Sequence, residues 1–232
     1  PTVISRRAEK GGLSRSLFER LVEMGVEPCL LRMQYRMHPS ISLFPNERFY
    51  ACRLEDGVEA SQRPAPSGML WPDWDQPMAF LPVQEGEVRS PDGNSKENPG
   101  EASWVSRVLE ELLDGGELTM NDIGIITPYA GQVRAIRDIM PERLDSVEIR
   151  TVDGYQGREK EVIIFSCVRS NSEGNVGFLA DSRRLNVALT RAKRGLIVIG
   201  DPDTLRHDDD WAAWMRHMRS RNLEAWHLLG MS

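Results

Sequence analysis

The sequence predicts an α/β fold in which a mainly parallel sheet is flanked by helices on both faces. Segments 123–127, 162–168 and 196–199 are continuous apolar runs rather than alternating ones, as is typical of strands covered on both faces. Amphipathic stretches lie between such runs, and residues 101–114 carry an apolar stripe at helical spacing. Ligands of these sheets bind at the carboxyl ends of the strands, so we expect the functional residues in loops there.

Composition favours an ordinary globular chain over a membrane or disulfide-rich one. Of 232 residues, 40% are hydrophobic and 28% are charged, and no apolar run approaches the roughly 18 residues of a membrane helix. The cysteines, Cys29, Cys52 and Cys167, are scattered and odd in number, which argues against disulfides and a zinc site. We therefore expect a chain that holds no metal of its own, in the cytoplasm or the nucleus.

Positive charge is concentrated in one segment, although the whole chain carries a formal net charge of −6. Residues 181–194 hold five cations against one acid. Proteins that bind nucleic acid by bulk charge are usually basic. A nucleic-acid ligand of this chain therefore has to bind where the cations are gathered.

The chain is predicted to form one domain over residues 1–232. Within it, residues 29–33 predict a short buried strand and residues 181–192 a helix. Residues 59–77 are rich in Pro, Ser and Trp and predict an irregular excursion. Residues 84–100 combine turn formers with few apolar side chains, which predicts a mobile surface loop.

The segment QYRMHP, residues 34–39, leaves the predicted strand with an aromatic residue beside a cation. The Tyr35 ring could stack on a base, and the Arg36 guanidinium could reach a phosphate. The alternative is an exposed pair without a ligand. A buried strand rarely ends in this combination, which favours the binding role.

Two further polar segments carry residue types that suit a nucleotide. In DGYQGREK, residues 153–160, Gly157 permits close approach of a ligand to the backbone, and the Glu159 carboxylate could hold a ribose hydroxyl. In the predicted basic helix, Arg184 and Arg191 are about two turns apart and share a face that suits phosphate. Taken alone, a polar turn and a solvated basic face explain these segments equally well.

Together, and in this order, the segments resemble the superfamily 1 helicases, in the branch that includes the nonsense-mediated-decay RNA helicase, senataxin and the immunoglobulin mu binding helicases. The matching stretches are GLSRSLFERLVEMGVEP, LRMQYRMHPSISLFPNERFY, IGIITPYAGQ, VEIRTVDGYQGREKEVIIFSCVRSN and VGFLADSRRLNVALTRAKRGLIVIGDP. In that family, ATP sits between two RecA-like domains. This chain has no G-x-x-x-x-G-K-[ST] motif and no acidic magnesium-binding pair, so the resemblance implies the second, RecA-like domain alone.

The resemblance also implies roles for individual residues at the nucleotide. Tyr35 matches the aromatic that packs against the base or ribose, and Arg36 and Arg191 match two arginine fingers that stabilise charge on the γ-phosphate. Glu159 matches the ribose-hydroxyl acceptor, and Gly157 the point of close backbone approach. The implied ligand is ATP with Mg²⁺, the metal being held mainly by the first domain.

A second set of residues matches the family's nucleic-acid face, where main-chain and hydroxyl groups hold the sugar-phosphate backbone without reading sequence. This set comprises Thr127, Pro128, Tyr129, Thr151, Val152 and Asp153. The implied partners are single-stranded RNA or DNA and the first RecA-like domain of the same protein. The resemblance implies a monomer that does not bind membranes.

Three functions stay open on the sequence alone. The first is a motor domain of an RNA helicase, in mRNA surveillance such as nonsense-mediated decay. The second is a DNA repair or replication helicase of the same branch, and the third is a non-catalytic nucleic-acid-binding scaffold. The intact set of Tyr35, Arg36, Glu159 and Arg191 argues against the scaffold, because a degenerate copy has no reason to keep all four.

Overall fold

Nine strands are present in the computed structural model of the chain, which describes residues 5–13 and 15–229. They are β1 (Met33–Gln34), β2 (Glu55–Asp56), β3 (Met78–Pro82), β4 (Val88–Arg89), β5 (Lys96–Glu97), β6 (Ile123–Thr127), β7 (Glu148–Thr151), β8 (Lys160–Ser166) and β9 (Ala192–Gly200). Five of them form the main sheet in the order β3–β9–β8–β6–β7, and every neighbouring pair is parallel.

Eight α-helices accompany the strands in the described part of the chain. They are α1 (Arg6–Lys10), α2 (Leu17–Glu23), α3 (Pro39–Phe49), α4 (Pro99–Asp114), α5 (Ala130–Ile139), α6 (Ser182–Leu189), α7 (Pro202–Leu205) and α8 (Asp209–Ser220). No helix among the described residues is both long and apolar enough to cross a bilayer.

The main sheet is buried on both faces, as the continuous apolar runs predicted. In β8, Val162 and Ile164 belong to the core that α4 and α5 cover. Ile163 and Phe165 belong to the core that α3, α6 and α8 cover. Because successive side chains of a strand point to opposite faces, a strand between two helix layers needs apolar residues at every position. The predicted α/β class with helices on both faces is confirmed.

The chain divides into two compact units between Arg32 and Met33, and the sheet belongs entirely to the second. In the first unit, α2 begins after Ser16, whose side chain accepts a hydrogen bond from the Glu19 amide at 3.1 Å. No residue of α2 is buried. Leu17 and Phe18 are 68% and 66% exposed, so this unit presents an apolar surface.

The structure differs from three local predictions. Residues 29–33 do not form a buried strand: β1 covers only Met33–Gln34, and Leu31 is 84% exposed. Residues 84–100, predicted as a mobile surface loop, include a short antiparallel hairpin, β4–β5, and the Glu87 carboxylate in this segment binds Lys96 and also Arg169 from a distant segment. The predicted helix over 181–192 ends at Leu189.

Candidate functional site

The loop after β1 is shaped by the side chain of Gln34. Its Oε1 atom accepts hydrogen bonds from the amides of Arg36 and Met37 at 2.9 and 2.8 Å. Its Nε2 atom donates to the Met37 carbonyl at 2.9 Å and to the Asp56 carboxylate at 2.6 Å. The tight turn presents the Tyr35 side chain outward, and this residue is 67% exposed.

Arg36 turns from this loop toward the start of β8. Its Nε atom donates to Glu159 Oε2 at 2.5 Å, and its Nη1 atom donates to the Thr190 carbonyl at 3.0 Å. The hydrogen bond from Arg36 lowers the pKa of the Glu159 carboxyl, and the nearby Lys193 ammonium, 3.5 Å away, acts in the same direction. Glu159 is therefore ionised throughout the neutral pH range.

Arg191 approaches the same place from the other side of Thr190. Its Nη2 atom donates to the Thr190 hydroxyl at 3.1 Å, and its Nε atom donates to the Val187 carbonyl at 3.0 Å. Burial lowers the pKa of Arg191, and the positive charge of Arg36 lowers it further. We call Arg36, Glu159, Arg191 and Lys193 the basic cluster. An anion that entered it would relieve the repulsion between two guanidinium groups.

The basic cluster lies at the amino ends of the strands, not at the carboxyl ends where the sequence predicted functional loops. Glu159 immediately precedes β8 and Arg191 immediately precedes β9, and the first residues of these strands pair with each other. The His38 amide also donates to the Lys193 carbonyl at 2.8 Å, which draws the loop after β1 to this edge. The prediction failed because β1 is not part of the main sheet.

Arg184 does not share a helix face with Arg191, which corrects the pairing predicted from their spacing. Helix α6 ends before Arg191, so the two side chains have no common helical register. Arg184 instead pairs with Asp153 at 3.1 Å. This contact places Arg184 beside the predicted nucleic-acid face.

The predicted nucleic-acid residues gather where β6 and β7 end. Thr127 and Thr151 are register partners, and the Val152 amide donates to the Thr127 carbonyl at 3.0 Å. Thr127 and Val152 are buried, whereas Asp153 is exposed and Pro128 is half-buried. Tyr129 also lies here, so the structure brings all six predicted residues together. We call this region the strand-end face.

Tyr129 is buried in the strand-end face rather than displayed on it. Only 6% of the residue is exposed, and its hydroxyl accepts hydrogen bonds from the Phe178 amide and from Arg169 Nη1, both at 3.2 Å. The aromatic residue exposed beside it is Phe178, at 51%, which the sequence motifs did not indicate. A phenylalanine in a sequence motif does not show by itself whether its ring lies in the core or at the surface.

A buried polar network supports the strand-end face from within. Glu101 is fully buried, and its Oε2 atom accepts hydrogen bonds from the Ser166 hydroxyl at 2.6 Å and the Val168 amide at 2.8 Å. Val168 has a φ of 71°, a left-handed conformation that β-branched residues rarely adopt. The contacts of Glu101 thus hold a strained turn directly before Arg169, the partner of Tyr129.

Residues 152–159 cross from the strand-end face to the basic cluster beneath β6. Midway, the Tyr155 side chain is fully buried, and a Cβ atom on Gly124 of β6 would lie 1.9 Å from its hydroxyl oxygen. Gly124 is therefore required by this contact. Near the far end, Gly157 has a φ of +81° with open space around it, which leaves its backbone accessible.

The fold is an α/β domain with a parallel five-stranded sheet between helix layers, and comparison with known families places it. The family model described as an AAA domain matches residues 13–203, and the chain belongs to this family. Its relatives at 39–43% identity carry the names regulator of nonsense transcripts 1, NAM7 and sen1, which is the branch of superfamily 1 helicases that the sequence motifs resemble. The resemblance stated from the sequence motifs is thereby confirmed.

Three relatives show how far the likeness extends. The regulator of nonsense transcripts 1 homolog of Drosophila melanogaster is 43% identical over 96% of this chain and 19% of its own length. The ATP-dependent helicase NAM7 of Saccharomyces cerevisiae is 42% identical over 95% of this chain and 24% of its own length. The helicase sen1 of Schizosaccharomyces pombe is 39% identical over 96% of this chain and 14% of its own length. The chain thus spans a quarter or less of each of these relatives.

Proposed function

We propose that this chain is the second motor domain of an ATP-dependent RNA helicase that acts in mRNA surveillance. In this proposal, the basic cluster binds the nucleotide and the strand-end face binds one strand of nucleic acid. The names of the relatives, two helicases and a regulator of nonsense transcripts, support this choice. A DNA helicase of the same branch is the second candidate.

The convergence of Arg36 and Arg191 on Thr190 is the observation that carries the proposal. Two guanidinium groups from distant segments contact one residue at 3.0 and 3.1 Å, and the charge of one lowers the pKa of the other. The Glu159 carboxylate, which pairs with Arg36, offsets part of the repulsion between these like charges. A γ-phosphate between them removes this repulsion and receives bidentate hydrogen bonds, as expected of arginine fingers.

The rest of the nucleotide is assigned to residues around the fingers. Glu159 is ionised and accepts a hydrogen bond from a ribose hydroxyl, while the exposed Tyr35 ring packs against the base or ribose. The open backbone at Gly157 allows close approach. When bound, Mg²⁺ neutralises phosphate charge. The first motor domain holds it in this proposal, because Glu159 and Glu161 are already paired with cations.

Arg36 has to exchange partners when the nucleotide binds. In the structure its Nε atom is engaged by Glu159, whereas in the proposal it reaches a phosphate contributed from the first domain. ATP thereby attracts this domain across the cleft, and loss of phosphate after hydrolysis releases it. Alternation of this closure with grip at the strand-end face moves the strand.

The strand-end face suits a sugar-phosphate backbone. The ends of β6 and β7 present main-chain groups together with Thr151 and Asp153, while Arg184 supplies positive charge beside them. Backbone and hydroxyl contacts hold a strand without reading its sequence. The first motor domain is the proposed intramolecular partner, and the exposed Leu17 and Phe18 offer apolar surface of the kind that domain packing covers.

The proposal is tested with Arg191→Ala in the full-length protein. We expect ATP turnover to fall by about three orders of magnitude, because a finger contributes on this scale, and single-stranded RNA affinity to stay within about twofold. The matched control is Arg143→Ala, which removes an exposed arginine paired with Glu110 and should leave turnover unchanged. Normal turnover in Arg191→Ala would overturn the finger assignment. Stronger stimulation by DNA than by RNA would favour the second candidate.

A further inference from the structure

We propose that Phe178 is the base-stacking residue of the strand-end face, with Tyr129 as the buried residue that positions it. The proposal rests on the proposed function, since it assumes that a single strand crosses this face. The motif pattern suggests that Tyr129 contacts the nucleic acid, whereas in this proposal Phe178 makes that contact. The aromatic of the TPY motif supports the face, and an aromatic from the segment before α6 contacts the nucleic acid.

The first support is the contrast in exposure between the two rings. Tyr129 is 6% exposed and Phe178 is 51% exposed. The ring centroids lie 5.3 Å apart with the planes inclined by 37°, which is an offset aromatic contact. The Tyr129 hydroxyl also accepts a hydrogen bond from the Phe178 amide at 3.2 Å. Tyr129 thus holds both the backbone and the ring of Phe178 in place.

The second support is the space beside the Phe178 ring. A groove of about 1040 Å³ opens at this position, lined by the β4–β5 hairpin, by Tyr129 and by Phe178. Asn94 and Asn175 also line it, beside an Asn171 side chain that is held by Glu87 and Asn175, and amide side chains can donate to and accept from a base edge. An aromatic ring beside polar side chains is the environment that an unstacked base requires.

The third support is continuity with the strand-end face. A smaller cavity, which Phe178 also lines, is bounded by Pro128, Val152 and Arg184, and Pro128 and Val152 were predicted to hold the sugar-phosphate backbone. The Arg184 guanidinium lies 5.3 Å from the centre of the Phe178 ring and pairs with Asp153. A base on Phe178 therefore has its phosphate within the region of a cation.

These observations define the ligand as one base of a single strand. Stacking on an aromatic ring tolerates any base, because every base has a π-face. Arg184 supplies charge for the adjacent phosphate, and its effect depends on salt. Aromatic stacking and phosphate binding at neighbouring residues can therefore be separated by experiment.

The test compares Phe178→Leu with Phe178→Trp in the full-length protein. The probe is a short single-stranded RNA that carries 2-aminopurine, and binding is followed by anisotropy and by fluorescence quenching at several salt concentrations. We expect Phe178→Leu to weaken binding about tenfold, within the range for one stacked base, and to reduce the quenching. Phe178→Trp should retain both, because it retains a stacking ring.

Two further variants control for surface and charge. Trp74→Leu removes an aromatic that is 52% exposed. Trp74 lies shortly before β3, the outer strand on the side of the sheet away from β6 and β7, so RNA affinity should not change. Arg184→Gln should reduce the slope of log affinity against log salt, whereas Phe178→Leu should leave that slope unchanged. Thermal unfolding of Phe178→Leu should match that of the unaltered protein, since the lost ring is half exposed.

Unchanged affinity and quenching in Phe178→Leu would overturn the inference. A loss shared equally by Phe178→Leu and Phe178→Trp would also overturn it, because the aromatic character would then be irrelevant. Failure of the proposed function has a different signature, since normal turnover in Arg191→Ala contradicts the finger assignment whatever the stacking test shows. An unaltered protein that does not bind single strands would contradict both proposals.

Discussion

The two ends of the parallel strands bring their predicted residues together in different ways. We call the side where the strands begin the amino edge and the side where they finish the carboxyl edge. At the amino edge, the basic cluster consists of charged side chains that extend from loops and meet around Thr190. At the carboxyl edge, Thr127, Tyr129 and Val152 are buried, so they contribute backbone and support. In the proposed function, the charged side chains of the basic cluster are themselves the ligand contacts. An aromatic or hydroxyl residue in a motif can instead be the scaffold beneath the contact.

Replacing Arg36 with lysine should separate the two edges strongly, although less than Arg191→Ala. Arg36→Lys keeps the charge but loses the fork that reaches both Glu159 and Thr190. We expect ATP turnover of the full-length protein to fall about 100-fold and single-stranded RNA affinity to stay the same. Steady-state ATPase and RNA-binding assays measure both. Equal losses in the two assays would show that the edges do not act separately.

The stability of the fold should depend on pH through Glu101, which supports the strand-end face from within. Burial raises the pKa of this carboxyl to about 8. Because the folded-state pKa lies above the unfolded one, the contribution of Glu101 to stability is full below the unfolded pKa and is lost as pH rises through about 8. The free energy of unfolding should therefore fall by up to about 1.4 kcal/mol per pH unit across this window.

The variant that tests this dependence is Glu101→Gln, which is neutral at every pH and retains an oxygen for the Val168 amide. Urea unfolding at several pH values between 5 and 8.5, roughly the window set by these pKa values, should give a flatter profile for the variant than for the unaltered protein. Identical slopes would remove Glu101 as the cause. Glu159 should not contribute to this slope, because its pKa is lowered and the carboxylate is therefore ionised throughout this pH range.

Removal of the Glu159 charge should have a moderate effect that is confined to the amino edge. In Glu159→Gln, a neutral amide replaces the carboxylate that would accept from the ribose hydroxyl, and neutral hydrogen bonds are weaker than charge-assisted ones. We expect the KM for ATP to rise about fivefold while RNA affinity is unchanged. Since Glu159 is ionised at neutral pH, the unaltered KM should not vary with this group between pH 6 and 8, roughly the neutral range. A change in kcat alone would argue against ground-state nucleotide binding by Glu159.

The smallest expected effect is at the carboxyl edge, with Arg184→Gln. This change removes a cation beside Asp153 and should weaken RNA binding about threefold at moderate salt, with a salt slope reduced by about one. The KM for ATP should not change. A rise in this KM would place Arg184 at the nucleotide, as its spacing from Arg191 first suggested.

The parts of the fold that were predictable are those with a local signature. Strands β6, β8 and β9 were found because burial on both faces requires an apolar residue at each position. The β4–β5 hairpin was missed because Glu87, which anchors it, contacts Arg169 far along the chain. No local pattern records such a contact.

The candidate site divides in the same way. Arg36, Glu159 and Arg191 of the basic cluster were predicted from motifs, and the structure brings them together with Lys193, although at the edge opposite to the one expected. Phe178 was missed because its exposure depends on the hydrogen bond from its amide to Tyr129. Whether an aromatic ring is buried or exposed depends on the folded structure, whereas the motif gives only the residue type.

The crossover at residues 152–159 has a mechanical consequence. Asp153 stands at its strand-end side and Glu159 at its basic-cluster side, with the buried Tyr155 side chain packed against Gly124 between them. Because the middle of the segment is packed against β6, a displacement at Asp153 would have to pass through the Tyr155 contact before it could change the position of Glu159, which contacts Arg36.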